Sequence, residues 1–114
     1  MNSVKHMQLM FMKFLRNMKY KIIDEASREL DDTFSYYEYQ QKDLGYRFIS
    51  SFTEAVELIR FYPNGWHPLS KKVRRCMIKN FPYGIIYQVK ENEILIIAVA
   101  NLHRKPNYWT ERVN

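Results

Sequence analysis

A chain of 114 residues is one domain by length, and 46% hydrophobic with 16% aromatic residues makes it globular rather than disordered. Three Gly and four Pro exclude a fibrous or loop-dominated fold, and the single Cys76 excludes an internal disulfide, which fits a reducing cytoplasm. The net charge of +6 is unevenly spread: residues 24–57 hold nine acids and three bases, whereas residues 58–90 hold seven bases and no acid. The basic half favours a polyanion or an acidic partner segment, with a solvated basic face as the alternative.

Residues 1–17 stand apart, with four of the six Met, three bases and no acid. Val4, Met7, Met10 or Phe11, and Phe14 fall at helical spacing, a short basic amphipathic pattern. Lys13 and Arg16 interrupt the apolar stretch, which disfavours a signal peptide, and no run reaches the length of a membrane span, so no stable membrane association is expected. The segment reads as a leader, or else as a docked accessory helix.

Lys19–Ile23 reads as a short strand, with Asp24 as a cap for the helix that follows and Glu25 in its first turn. Ala26, Leu30, Phe34 and Tyr37 form one apolar stripe, while Glu29, Asp31, Asp32 and Glu38 fall on other faces. Asp43 opens a second helix whose apolar set is Leu44, Phe48, Phe52, Val56 and Ile59, widened by Ile49 and Ala55. Two helices so closely joined form an antiparallel hairpin. Tyr62–Ser70, with Pro63, Asn64-Gly65 and Pro68, is a turn-rich connection.

Three strands follow. Val73–Asn80 alternates Arg75, Met77 and Lys79 against Arg74, Cys76 and Ile78. Tyr83–Lys90 leads through the two-residue turn Glu91-Asn92 into Ile94–Ala100, which is apolar throughout and therefore covered on both faces. The predicted fold is α+β: a small antiparallel sheet with an N-terminal helical hairpin on one face, in the order β-α-α-β-β-β plus a short C-terminal element. Cys76, in an apolar and basic strand, reads as packing rather than as a nucleophile.

The closing cluster of His103, Arg104, Lys105, Tyr108, Trp109 and Arg112 offers cations for phosphates, aromatic rings for stacking, and a His and a Tyr able to exchange protons. With Arg74, Arg75 and Lys79 on a neighbouring strand it forms the candidate target- or nucleic-acid-binding surface. The competing reading makes Tyr108 and Trp109 core anchors that fold the C-terminus onto the sheet. No metal-ligand spacing, Gly-rich phosphate loop or nucleophile elbow is present, so no metal or cofactor is expected.

Phe81-Pro82-Tyr83-Gly84-Ile85-Ile86-Tyr87, the apolar strand Ile94–Ala100, and His103-Arg104-Lys105-Pro106-Asn107-Tyr108-Trp109 together resemble the RelE/ParE family of bacterial toxins. The resemblance begins at Met18 and covers about 97 residues, which divides the chain into an extension 1–17 and a toxin domain 18–114. It implies the same β-α-α-β-β-β arrangement, a toxin of a type II toxin–antitoxin system, and a cognate antitoxin partner. RelE-type members cut mRNA on the ribosome; by resemblance their catalytic positions fall near Arg75, Met77, Gly84, Arg104 and Tyr108. Arg75, Arg104 and Tyr108 are thus the catalytic candidates of an endoribonuclease, whereas Met77 and Gly84 depart from that pattern and Lys79 or Arg74 would have to substitute. ParE-type members, which share the F-P-Y segment and the R-x-P-x-Y-W ending, poison DNA gyrase without being enzymes. The resemblance therefore favours a gyrase poison of the plasmid-stabilisation type. The ribonuclease is the alternative, and an inactive toxin-fold binding protein is a second one.

Overall fold

The computed structural model describes residues 3–8 and 18–113. Residues 3–8 are a helical segment (α1) with every residue exposed, and the expected continuation through Phe11 and Phe14 lies outside the described residues. From residue 19 the elements are β1 (Lys19–Ile22), α2 (Asp24–Gln40), α3 (Leu44–Phe61), β2 (His67–Pro68), β3 (Arg74–Met77), β4 (Tyr83–Lys90), β5 (Glu93–Asn101) and a 3-10 turn at Thr110–Arg112. This is the α+β architecture expected from the sequence, in the expected helix and strand order. Among the described residues no helix is long and apolar enough to cross a membrane.

The hairpin of helices forms where the apolar stripes predicted it, with Phe48, Phe52, Val56 and Ile59 buried along α3. Its ends are capped differently from the sequence expectation. Ile23, not Asp24, precedes the first turn of α2, and Asp24 and Glu25 act only through their charge at the positive end of the dipole. Asp43 sits at the start of α3 with φ 71° and makes no side-chain cap. The Glu38 carboxylate takes that role, accepting hydrogen bonds from the Asp43 and Gly45 amides at 3.0 Å each. Gly45 marks the closest approach of the helices, because a Cβ there would lie 2.6 Å from the Phe34 carbonyl oxygen.

The sheet order is β1-β5-β4-β3-β2. β3 to β5 pair antiparallel as expected, and the two-residue β2, inside the segment expected as a turn-rich connection, adds an antiparallel edge. β1, however, runs parallel to β5, Lys19 opposite Glu93 and Ile22 opposite Ile96, so the sheet is mixed. A hairpin turn imposes antiparallel pairing; β1 reaches β5 through the whole intervening chain, and nothing local sets its direction. The predicted strand Val73–Asn80 is shorter than its pattern, ending at Met77. Asn80 at φ 70° turns the chain, which leaves Lys79 in an exposed turn instead of beside Arg75. Glu91 and Asn92 at φ 52° and 62° form the expected two-residue hairpin turn.

Two cores result. Against the helices, β4 and β5 contribute Tyr83, Ile85, Tyr87, Ile94, Ile96 and Val99. On the other face Val73, Ile86, Ile97, Ala98 and Ala100 enclose the Trp109 ring, which is 8% exposed. The register shift at Ile86/Tyr87 adds a residue to β5, so Ile97 and Ala98 both serve the second core. The small side chains of Ala98 and Ala100 leave the space that the indole fills. Ile94–Ala100 is thus covered on both sides, by helices on one and by the chain's own tail on the other.

Candidate functional site

The tail departs from the end of β5 in a turn ordered by Asn101, whose Oδ1 accepts from the His103 amide at 2.9 Å and whose carbonyl accepts from the Arg104 amide at 3.1 Å. His103, Arg104 and Lys105 are carried on this turn and are exposed. The chain then crosses the open sheet face, buries Trp109, and brings Tyr108 and Arg112 back against α2.

There one carboxylate gathers the tail. Glu29, its side chain 14% exposed, accepts a hydrogen bond from the Tyr108 hydroxyl at 2.7 Å and from the Arg112 guanidinium at 3.0 and 3.3 Å. It also accepts from the Val99 amide at 3.0 Å and pairs with Arg104 at 3.6 Å. Arg112 donates further to the Ile97 carbonyl at 3.0 Å. β1 pairs with β5 only as far as Ile96, so Glu29 and Arg112 satisfy the backbone groups left beyond its end. The Arg104 guanidinium lies over the Tyr108 ring, 3.9 Å from its centroid.

This arrangement fixes protons. Burial, then the hydrogen bond to Glu29, pushes the Tyr108 hydroxyl far above its ordinary range. Burial works against the Arg112 charge, but Glu29 outweighs it and leaves that pKa raised. Cys76, buried behind the helices, is pushed up to about 11 by desolvation alone, as suits a packing residue.

The structure brings some candidates together and separates others. Arg75, Arg104, Lys105, Tyr108 and Trp109 line one cavity of 170 Å³ on the tail-covered face. In it the Arg75 Nε is buried without a hydrogen-bond partner. The stem of Arg75 lies across Gly84, where a Cβ would meet its Cγ at 3.0 Å. Gly84 therefore seats Arg75; an Arg at that position would displace it. Met77 is exposed at the strand end. Lys79 does not reach this cavity, and Arg74 faces the helix side, donating to the Trp66 carbonyl at 2.8 Å. His103 and Arg104 also line a groove beside α2 with Asp32, Thr33, Tyr83 and Asn101. Among the described residues no group of three His, Cys, Asp or Glu could hold a metal ion.

Sequence reasoning missed Glu29. The signal was present: Glu29 follows Ala26 by three residues and precedes Thr33 by four, and both of those are buried. A carboxylate on that face needs a partner, and the basic tail supplies it.

A family model described as the ParE toxin of type II toxin–antitoxin system, parDE, matches residues 20–108. Among solved structures, the chromosomal ParDE TA system from P. aeruginosa superimposes with a TM-score of 0.67 at 20% identity, over 76% of this chain and 98% of that one. No curated protein matches the sequence.

Proposed function

The chain belongs to the ParE toxin family of type II toxin–antitoxin systems, and on that premise we propose that it arrests growth by poisoning DNA gyrase and is neutralised by a cognate antitoxin. The observation that carries this reading is the state of Tyr108. Its hydroxyl is committed to Glu29 and holds its proton firmly, and Met77 brings no cation to the strand. Cleavage of RNA requires a mobile proton and charge stabilisation at the scissile phosphate. A protein that only holds its target requires neither.

In this reading the exposed His103, Arg104 and Lys79 contact the target. Trp109 and Arg112, buried and paired, keep the tail in place instead of meeting the target directly. The antitoxin is an acidic segment that folds on contact, its charges drawn to the basic half of the toxin and its apolar anchors entering the groove lined by Tyr36, Tyr37, Pro82 and Tyr83.

The cavity shared by Arg75, Arg104 and Tyr108 favours a second reading, a ribosome-dependent endoribonuclease. One pair of assays separates the two. Purified toxin added to a gyrase supercoiling reaction and to a cell-free translation reaction should inhibit the first and spare the second. Ribosome-dependent mRNA cuts that disappear in Tyr108→Phe would establish the ribonuclease instead.

A further inference from the structure

We propose that a second site, at the opposite end of β4 from the tail, binds the phosphoryl group of a nucleotide or of a nucleic-acid backbone. β4 runs to Lys90 but β3 pairs with it only from Gly84 to Tyr87, so Gln88–Lys90 form a strand edge without a partner on that side. The connection after α3 passes this edge and encloses a cavity of 330 Å³, whose lining includes Asn64, Lys71, Lys72, Arg74, Gln88 and Lys90. None of its lining residues belongs to the cavity formed by Arg75, Arg104 and Tyr108, so the site does not depend on the gyrase reading.

Charge is the first argument. Four cations converge on this cavity and no carboxylate lines it. Glu93 lies opposite Lys90 in the hairpin register, yet it does not reach the lining, and among the described residues Lys71, Arg74 and Lys90 form no ion pair with an acid. Like charges held around one hollow repel, and an anion between them removes that repulsion.

Construction is the second. The Tyr87 hydroxyl donates to the Pro63 carbonyl at 2.6 Å and ties the start of the loop to the strand. The Trp66 carbonyl holds one arm of the Arg74 guanidinium and so fixes its plane, the geometry in which arginine grips phosphate oxygens.

Gln88 is the third. It is 5% exposed, and its Oε1 is buried with no partner. An apolar side chain of similar size would serve folding better at such a position. Nε2, at the other end of the carboxamide, makes no hydrogen bond either but keeps accessible surface, so it is the donor that Gln88 can offer an anionic oxygen. The volume is at the small end for ligand pockets, suited to a phosphoryl group and its ester rather than to a protein segment.

The test titrates the full chain with pyrophosphate, with ATP and with a short oligonucleotide at low salt, following binding by calorimetry and amide shifts. Lys71→Glu/Lys90→Glu should weaken binding about tenfold or more, as expected for the loss of phosphate contacts. Gln88→Met should unfold no earlier than the parent and still bind several-fold more weakly. Saturable binding of pyrophosphate and ATP without the oligonucleotide identifies a free nucleotide as the source; tighter oligonucleotide binding identifies a nucleic-acid backbone. Either outcome supports the site. Absence of binding to all three overturns it, and so does an equal loss in Lys19→Glu/Lys21→Glu, which changes the net charge by the same amount on β1.

Discussion

Replacing Glu29 by Ala removes the acceptor for the Val99 amide, the Tyr108 hydroxyl and the Arg112 guanidinium in one step. Charge-assisted hydrogen bonds contribute about 1.5–3 kcal/mol each, but they share one carboxylate and do not add. The larger effect is the cation left behind, since removing one partner of a buried ion pair destabilises by about 3–5 kcal/mol. Arg112 is 17% exposed and keeps its bond to the Ile97 carbonyl, which places Glu29→Ala near the lower limit, about 3 kcal/mol. For a domain of this size that corresponds to a fall in Tm of roughly 10–20 °C. Glu29→Gln keeps one acceptor and should lose about 1–2 kcal/mol. Urea unfolding monitored by the fluorescence of Trp66 and Trp109 measures all of these. In a double-mutant cycle with Arg112→Met the coupling should be about 1–2 kcal/mol. A loss below about 1 kcal/mol in Glu29→Ala, or a coupling near zero, would refute the reasoning and make the carboxylate a surface charge with no structural role.

Gly45→Ala should destabilise by about 2–3 kcal/mol in chemical denaturation, because its Cβ meets the Phe34 backbone and the helices must separate. Tyr108→Phe should lose about 1–2 kcal/mol of stability through its bond to Glu29 while leaving gyrase inhibition nearly unchanged; inhibition abolished in a folded variant would contradict the reading. Raising pH should destabilise the fold: Cys76 is pushed up to about 11 when folded, and Tyr87 and Tyr108 are raised further by burial. Such groups stabilise the fold at pH below their unfolded values, and that stability is lost as pH rises from about 9 through the folded values. A pH titration of urea midpoints checks the sign, and Cys76 should stay unreactive toward a thiol reagent at pH 8 until the protein unfolds. Deleting residues 1–17 should preserve cooperative unfolding, since β1 opens at Lys19; a broad, noncooperative transition would show that this segment completes the core.

Local chemistry made much of this molecule legible in its sequence. The stripes Ala26–Tyr37 and Leu44–Ile59 specified two amphipathic helices, Glu91-Asn92 specified a tight hairpin, and unbroken apolarity over Ile94–Ala100 specified a doubly covered strand. The motif from Phe81 to Trp109 carried the family and its fold. These signals lie within short windows, where period and turn chemistry act directly on the chain.

Tertiary structure decided what depends on residues far apart. Whether β1 runs parallel or antiparallel to β5 has no local determinant. The sequence leaves Trp109 between a target-facing ring and a core anchor that folds the tail onto the sheet; the structure decides for the anchor, packed with Ala98 and Ala100. Glu29 meets Tyr108 and Arg112 across 79 and 83 residues, so a carboxylate that reads as a solvent charge becomes the clasp of the C-terminus. Arg75 and Gly84 read as a cation present and a cation missing, until the sheet lays one across the other. Periodicity reports which face of an element is buried, but only the assembled sheet determines what that face meets.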